Sequence, residues 1–416
     1  KVTWMANRDC IAVKVPASVG CGPWVMARWV LPVLIFAAGL VGCATNGVPL
    51  QELEYDPRLL TGESVFGTPV EASEVPPFDM LGTDDAMREF IATYIGGAKR
   101  AEARFERLLR GLSREGYFDD TYIYDAGRTL TAAETFEKKA GNCLSYTTMF
   151  IALARAVNLN VVYQIVDVPP NWDAEGGYLI RYSHINAVIS GVKIDKRYTE
   201  EFTVDFNDVH PEPEYPRRRV SDLDATALFY SNRSVDHIVA GEARTGFALL
   251  RAALELMPEN VDLWLNLGAF YAKQDQPDMA VRAHRVVLAM DPSNKGAMSG
   301  LARGYERLGD LEQSEYYAEQ VRNYRRKNAF YHFALAQARY ERGEYASSLQ
   351  SIDAAIELKR RNARFHFMKG LAEQKLGRSA AAKASFQRAS KLGKFEDLKT
   401  RYIRDLAGVP VIQPQG

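Results

Sequence analysis

A residue pattern with a period of 34 constrains the fold of this chain more than any other feature of its sequence. Gly241, Gly309, Gly343 and Gly377 are separated by 34 residues or by twice 34, and Asp275 fills the gap after the first. A repeat of this length is one supersecondary unit, and neighbouring units must stack to bury a continuous core. The period therefore predicts an all-α solenoid over residues 227–396. Its units, about five in number, begin at residues 227, 261, 295, 329 and 363.

The second unit carries the residues that identify the type of repeat. They are Trp264, Leu267, Gly268, Tyr271, Ala280 and Pro292. In identity and spacing they resemble the tetratricopeptide repeat. The resemblance implies a helix–turn–helix in each unit and a protein or peptide partner on the array. The alternative, a non-repeating helical bundle, does not explain a phase held over several units. Residues 397–416 are predicted to form a capping helix and a tail.

The charge balance bears on the class of partner. Lys and Arg together number 52 among 416 residues, Asp and Glu also number 52, and the sequence pI is near 7.2. Nucleic-acid binding needs a concentrated basic surface, which this balance does not indicate, so no nucleic-acid partner is predicted. The sequence contains no recognisable metal-ligand cluster or phosphate-binding loop. No cofactor and no metal are therefore expected.

The N-terminal residues have the features of an export signal. An apolar run over residues 29–42 follows a short basic stretch that begins at Met26, and it ends directly before Cys43. The run is shorter than the roughly 20 residues that span a bilayer, but it suits the hydrophobic region of a signal peptide. A small residue followed by Cys resembles the lipobox of bacterial lipoproteins. This implies lipidation of Cys43 and a place in the bacterial cell envelope, at the outer membrane facing the periplasm.

The alternatives to lipidation are an ordinary cleaved signal peptide and a short membrane anchor. In the lipoprotein interpretation, residues 1–42 are upstream sequence and signal peptide, with Met26 as the start. Residues 43–80 contain several prolines and little apolar periodicity. They are therefore predicted to be an extended, lipidated tether.

Between the tether and the repeats, residues 81–215 predict an α+β domain. Amphipathic helices are expected near 84–95 and 99–113, and a helix that is apolar on nearly all sides is expected over 144–157. β-rich stretches follow at 161–168, 184–190 and 202–206. A buried helix followed by short strands is typical of the α+β class. Three prolines and three arginines over 211–219 predict a linker to the repeats.

Cys143, His184 and Asp205 are the candidate catalytic residues of this domain. In the lipoprotein interpretation Cys143 is the only free thiol of the mature chain. A thiol at the start of a helix lies beside N–H groups that can stabilise a thiolate or an oxyanion. His184, on a predicted strand, is then the base, and Asp205 orients it. Asp195 and Asp208 are the alternatives for the last role.

Each of these residues also has a structural interpretation. A lone Cys before a buried helix is commonly a core residue, and a His on a strand is commonly held by hydrogen bonds. The chain order and spacing, however, resemble the bacterial transglutaminase-like superfamily, whose fold is related to papain-type cysteine proteases. The resemblance covers about residues 115–210 and rests on the motifs at 132–136 and 141–143, on His184 and on Asp205.

The resemblance implies that Cys143 is the nucleophile, His184 the general base and acid, and Asp205 the orienting residue. The chain departs from the family where Ile185 and Asn186 follow the His. The implied activity is that of a cysteine peptidase, amidase or transglutaminase acting on protein or peptide amides, with recruitment by the repeats. The alternative is a non-catalytic lipoprotein scaffold for protein–protein assembly.

Two basic clusters, at 322–327 and 359–361, lie near the ends of repeat units. Cations near helix C-termini are favourable because they complement the helix dipole. The preferred interpretation is therefore solvated helix ends, and ligand binding is the alternative.

Overall fold

The computed structural model describes residues 55–112, 122–125, 127–167, 171–172, 179–180, 183–192, 201–205 and 216–393. The predicted signal peptide, Cys43, Asp195, Asp208 and the capping helix lie outside the described residues, so they remain predictions. Among the residues described, no helix has the length and apolarity needed to cross a bilayer.

The N-terminal part combines short helices with a small sheet. The helices are α1 (Glu63–Phe66), α2 (Asp85–Phe90), α3 (Ala101–Gly111), α4 (Ala132–Lys138) and α5 (Cys143–Ala156). The strands are β1 (Ile123–Tyr124), β2 (Ala140–Gly141), β3 (Asn160–Asp167), β4 (Asn171–Trp172), β5 (Leu179–Ile180), β6 (Ser183–Ser190), β7 (Glu201–Val204) and β8 (Arg217–Val220).

Helix α5 and the sheet form the core of this part. Every residue of α5 from Leu144 to Ala154 is buried, as the absence of a polar face in the sequence predicts. The main sheet is antiparallel and has the order β7–β6–β3–β8. The predicted mixture of buried helix and short strands is thus present.

Strand β8 was not expected, because the sequence predicts a linker at 211–219. Residues 217–220 instead pair with β3 along its free edge. Only Val220 of this strand is buried, so the segment lacks the alternating apolar pattern that predicts a strand. The sheet supplies a hydrogen-bonding partner that sequence periodicity does not reveal.

The C-terminal part is an all-helical array of the tetratricopeptide type, and it consists of five antiparallel helix pairs. The pairs are α6 (Asp222–Val239) with α7 (Ala243–Leu256), α8 (Val261–Lys273) with α9 (Pro277–Met290), α10 (Lys295–Leu308) with α11 (Leu311–Arg326), α12 (Ala329–Glu341) with α13 (Tyr345–Leu358), and α14 (Ala363–Lys375) with α15 (Ser379–Leu392). The first helices of the last four pairs begin at the predicted residues 261, 295, 329 and 363. Helix α6 begins five residues before the predicted 227.

The residues of the 34-residue glycine series lie in the turns inside the helix pairs. The four glycines of the 34-residue series all have positive φ, and Asp275 takes the same left-handed conformation at φ 56°. Glycine adopts this conformation without a Cβ penalty, and Asp tolerates it better than most residues do.

The turns between pairs share a second periodic feature. Asn260, Asn294, Asn328 and Asn362 are 34 residues apart, and each side chain caps the following helix by accepting backbone N–H groups. Three turns are closed further by a ring N–H, which donates to the carbonyl oxygen six residues earlier. These bonds are Trp264 Nε1 to Pro258 at 2.8 Å, His332 Nε2 to Arg326 at 3.2 Å and His366 Nε2 to Arg360 at 2.9 Å.

His284 is a packing residue, as its place in a repeat helix predicts. It is 5% exposed. A Cβ added at Gly268 or Gly300 would collide with its ring, so these glycines make room for the imidazole between α8, α9 and α10. Burial lowers its pKa to about 4, and the ring is therefore neutral at physiological pH.

Residues 55–75, which we call the N-terminal strap, do not form the predicted extended tether. They pack on α7, α8 and α9, where Leu59 and Val70 are buried. Tyr271 donates its hydroxyl to the Leu59 carbonyl at 2.8 Å, and Arg244 forms two hydrogen bonds with the Glu74 carboxylate. Proline content alone suggested a tether, but Pro57 opens a short 3₁₀ turn that is compatible with packing.

Helix α6 belongs to both parts of the molecule. Phe229 lies in the core of the N-terminal part, 5.3 Å from the ring of Phe78, whereas Ala227 lies in the core of the first repeats. Arg155 of α5 forms a bidentate ion pair with Asp222 at the start of α6. Its Nη1 lies 2.6 Å from Asp222 Oδ2, and its Nη2 lies 2.9 Å from Asp222 Oδ1. The sheet domain and the array are therefore joined through shared packing.

Removing the Leu59 side chain tests the packing of the strap. We expect Leu59→Ala to lower the free energy of unfolding by about 2–5 kcal/mol, because a fully buried leucine leaves a cavity. Leu311→Ala is the matched control, since Leu311 is 68% exposed, and its effect should stay within about 0.5 kcal/mol. Denaturant unfolding followed by circular dichroism measures both. Equal stability of the two variants would contradict the packed strap.

Candidate functional site

The fold brings the side chains of Cys143, His184 and Asp205 together. Cys143 is the first residue of α5, His184 is the second residue of β6, and Asp205 directly follows β7. Strands β6 and β7 are antiparallel neighbours, with Ala187 opposite Val204. This register places Asp205 across from β6, within reach of side chains on the same face as His184.

His184 and Asp205 form a short hydrogen bond in a largely buried setting. The distance from His184 Nε2 to Asp205 Oδ2 is 2.7 Å. Asn186, two residues along β6, donates its Nδ2 to the same oxygen at 3.1 Å. His184 and Asn186 are both buried. Asp205 therefore holds the imidazole from one side, and Asn186 helps to hold Asp205.

The environment of His184 favours its protonated form. Burial lowers the pKa of the imidazole, but hydrogen bonding to Asp205 and to Cys143 and the charge of Asp205 outweigh that effect and raise the pKa to about 9. Because Nε2 faces Asp205, Nδ1 is the ring nitrogen left for the sulfur. At neutral pH the imidazole is thus mostly protonated, and it lies between the Asp205 carboxylate and the Cys143 sulfur.

The start of α5, which carries Cys143, is rigid. Asn142 caps the helix by accepting the Ser145 N–H at 3.0 Å, and its Nδ2 donates to Thr129 Oγ1 at 2.7 Å. Gly141 has φ 145°, and a Cβ there would lie 2.7 Å from Ser145 Cβ. Cys143 itself is a partly exposed free thiol. The N–H groups of a first helical turn have no partner inside the helix, so such a turn can stabilise a developing oxyanion.

Two tyrosines lie beside this helix start. Tyr122 donates its hydroxyl to the Gly141 carbonyl at 2.7 Å, and its ring lies 3.5 Å from that of Tyr146 between centroids. Burial raises the pKa of both phenols above the ordinary range. Tyr122 is close enough to Cys143 to interact with it electrostatically.

Nothing in the family pattern predicts Asn186 or Tyr122 as members of the site. The alternation of a strand does place Asn186 on the same face as His184, and this signal was available in the sequence. Tyr163 of β3 is fully buried and donates to Thr148 Oγ1 at 3.1 Å, so it belongs to the core. No group of three or more metal-ligating side chains occurs in the part of the chain that the structure describes.

Comparison with known proteins identifies the repeats. The tetratricopeptide repeat family matches residues 363–392, which form the fifth helix pair. No curated protein matches the chain. The C-terminal array is therefore tetratricopeptide-like, while the comparisons assign no family to the sheet domain.

Among solved structures, the chain is similar to "Crystal structure of MamA protein", with 19% identity over 42% of this chain and 95% of that chain, at a TM-score of 0.24. It is also similar to "MamA 41-end from Desulfovibrio magneticus RS-1", with 16% identity over 41% and 96%, at a TM-score of 0.24. TM-scores this low carry no argument about function.

The charge of Asp205 should control the titration of His184. In the intact protein we expect the His184 ring to titrate near 9 in an NMR pH titration. In Asp205→Asn the pKa should fall, because burial then opposes protonation without a compensating carboxylate. Asp275→Asn, an exposed turn position where Asn tolerates the left-handed backbone, is the matched control.

The raised pKa also has a consequence for stability. Because the pKa of His184 is higher in the folded chain than in the unfolded one, protonation of this ring stabilises the fold. The stabilisation is complete below the ordinary histidine pKa of 6.5, and it is lost as the pH rises through about 9. In Asp205→Asn, the free energy of unfolding should no longer fall over this pH range for this reason. A His184 pKa that is unchanged in Asp205→Asn would contradict the described geometry.

Proposed function

We propose that this chain is a protein-interaction scaffold whose tetratricopeptide array binds a protein partner. The observation that carries the proposal is the array itself: five helix pairs with a constant 34-residue phase, of which the fifth matches the family. Stacked helical repeats create extended surfaces that suit protein binding. Several large apolar side chains on the array are exposed, among them Leu311, Tyr316 and Phe330, and such residues are typical of interaction sites when they cluster.

The sheet domain contributes to the scaffold by fixing one end of the array. The strap and the shared helix α6 bury apolar surface of the first two pairs. In the described residues the main contacts of the strap are with α7, α8 and α9 and not with the later pairs, α10 to α15, although β4 of the sheet domain contacts α12. We therefore place partner binding on these later pairs.

Site-specific photo-crosslinking tests this proposal. A photoreactive amino acid at Tyr316 or Phe330 should capture a protein partner in the native host, because both positions are exposed on the later pairs. The same amino acid at Ile123, which is 66% exposed on the sheet domain, is the matched control. Absence of any crosslinked protein at the array positions, or the same product from Ile123, would overturn the scaffold proposal.

A second candidate function is thiol-dependent acyl transfer, which the 2.7 Å contact between His184 and Asp205 and the adjoining Cys143 favour. In this hypothesis Cys143 reacts as a thiolate paired with the protonated His184, and its sulfur attacks an amide carbonyl carbon. Collapse of the tetrahedral intermediate breaks the C–N bond, and His184 returns the proton to the leaving amine. Water, or a second amine, then attacks the thioester and releases an acid or a new amide.

The reactivity of Cys143 tests the second candidate. We expect iodoacetamide to label Cys143 in the native protein at neutral pH, and we expect His184→Gln to slow labelling roughly tenfold or more, because the variant lacks the imidazolium that stabilises the thiolate. His366→Gln, in helix α14 of the array, is the matched control and should leave the rate unchanged. Peptide mapping by mass spectrometry separates Cys143 from the other cysteines. Labelling only after denaturation, or equal rates in all variants, would remove the catalytic hypothesis and leave the scaffold.

A further inference from the structure

The turns between helix pairs change character along one edge of the array. The turn at 257–260 has the sequence Met-Pro-Glu-Asn and the turn at 291–294 has Asp-Pro-Ser-Asn, so each contains one carboxylate and no cation. The next two turns, 34 and 68 residues further on, have Arg-Arg-Lys-Asn at 325–328 and Lys-Arg-Arg-Asn at 359–362. Each of these contains three cations and no carboxylate. The proline of the early turns is replaced by Arg326 and Arg360.

Helix termination accounts for only part of these cations, because Arg325 and Arg326 lie in the last turn of α11 and complement its dipole. Cations near a helix C-terminus are favourable, but α7 and α9 end without a basic residue in their last turn. Helix α13 ends at Leu358, so all three cations of the last turn lie beyond the helix. Other pairs of this array thus end their helices without this charge, and the cations that lie beyond the helix ends need another explanation.

The two basic turns are rigid. Asn328 Oδ1 accepts the backbone N–H of Phe330 at 2.9 Å, and Asn362 Oδ1 accepts that of Phe365 at 3.3 Å. The ring bonds from His332 and His366 fix the carbonyls of the two arginines. The backbone that carries the cations is therefore held in place before any ligand binds, which reduces the entropy lost on binding.

The two turns form one continuous surface. Lys359 Nζ of the later turn lies 4.8 Å from the ring centroid of Phe330, directly after the earlier turn. Phe330 and Leu358 are each 47% exposed. We call this surface the basic edge, and it comprises Arg326, Lys327, Phe330 and residues 358–361. It combines a small apolar centre with a rim of cations.

The rim cations are not neutralised within the described chain. Arg326, Lys327, Lys359, Arg360 and Arg361 are exposed, and no carboxylate of the described residues forms an ion pair with them; Arg326 bonds only to the Asn323 side chain. Guanidinium groups suit carboxylates because they donate two parallel hydrogen bonds. The surface has the charge and shape to accept an external anion that carries an apolar group.

We propose that the basic edge binds an acidic segment of a protein partner, with carboxylates on the rim and an apolar side chain on Phe330. The inference rests on the proposed scaffold function and names the chemistry of the partner. An anionic membrane fits less well, because the same edge carries Asp291 and Glu259 in the preceding turns. A flat anionic surface along the edge would meet these carboxylates, whereas a short segment would not.

Fluorescence anisotropy on the full chain tests the proposal. The probe is a short labelled peptide of Glu and Asp around one central Phe. The variant Arg326→Gln/Lys327→Gln/Arg360→Gln/Arg361→Gln should bind it at least roughly tenfold more weakly, because several exposed charge contacts are lost together. Lys383→Gln/Arg388→Gln removes two exposed cations of α15 as the matched control, and it should bind like the parent. Circular dichroism verifies that each variant is folded.

Two further measurements sharpen the result. Binding to the parent protein should weaken as salt is raised, which needs no variant at all. Phe330→Ala should weaken the Phe-centred probe and leave a Gly-centred probe unchanged. The proposal is overturned if the parent does not bind the probe or if the four-site variant binds it equally. It is also overturned if phosphatidylglycerol vesicles or a single-stranded oligonucleotide bind the edge more tightly than the peptide does.

The outcomes separate this inference from the scaffold proposal. If the four-site variant still yields the Tyr316 crosslink and the probe does not bind, only the acidic-segment inference fails. If no array position gives a crosslink, the scaffold itself fails.

Discussion

The packing of helix α6 against two cores is the interaction on which the rest of the structure depends. Phe229 fills a position in the core of the sheet domain, and Ala227 fills one in the core of the first repeats. A repeat at the end of a solenoid exposes an apolar face that must be covered. Here the sheet domain and the strap cover it, so the array begins on a fixed support.

The sequence predicts the array well because its fold depends on local, repeated contacts. The glycine phase places four helix starts at the observed residues, and the Asn caps at 260, 294, 328 and 362 carry the same period. The strap and β8 are different, because each is ordered by surfaces far away in the chain. Leu59 becomes a core residue only where α7 and α8 provide a pocket, and nothing near Leu59 in the sequence encodes that pocket.

In the candidate site, too, some features follow from local sequence and others depend on contacts between distant segments. Residue types and chain order predict that Cys143, His184 and Asp205 are neighbours, and the structure places His184 Nε2 2.7 Å from Asp205 Oδ2, while their catalytic role stays a prediction. The strand register that sets Asn186 beside Asp205 is tertiary information. So is the close contact between the tilted rings of Tyr122 and Tyr146 beside the start of α5. The basic turns were visible as clusters, but their union into one surface through Lys359 and Phe330 depends on how successive pairs stack.

The shared packing of α6 joins the sheet domain and the array into one mechanical unit. Native-state hydrogen exchange of the Phe229→Ala variant tests it most directly, since Phe229 is fully buried in the sheet domain core. Loosening α6 should speed amide exchange both in β3 and in α7, because each packs against that helix. Faster exchange in β3 with unchanged exchange in α7 would contradict the claim and make the two parts independent.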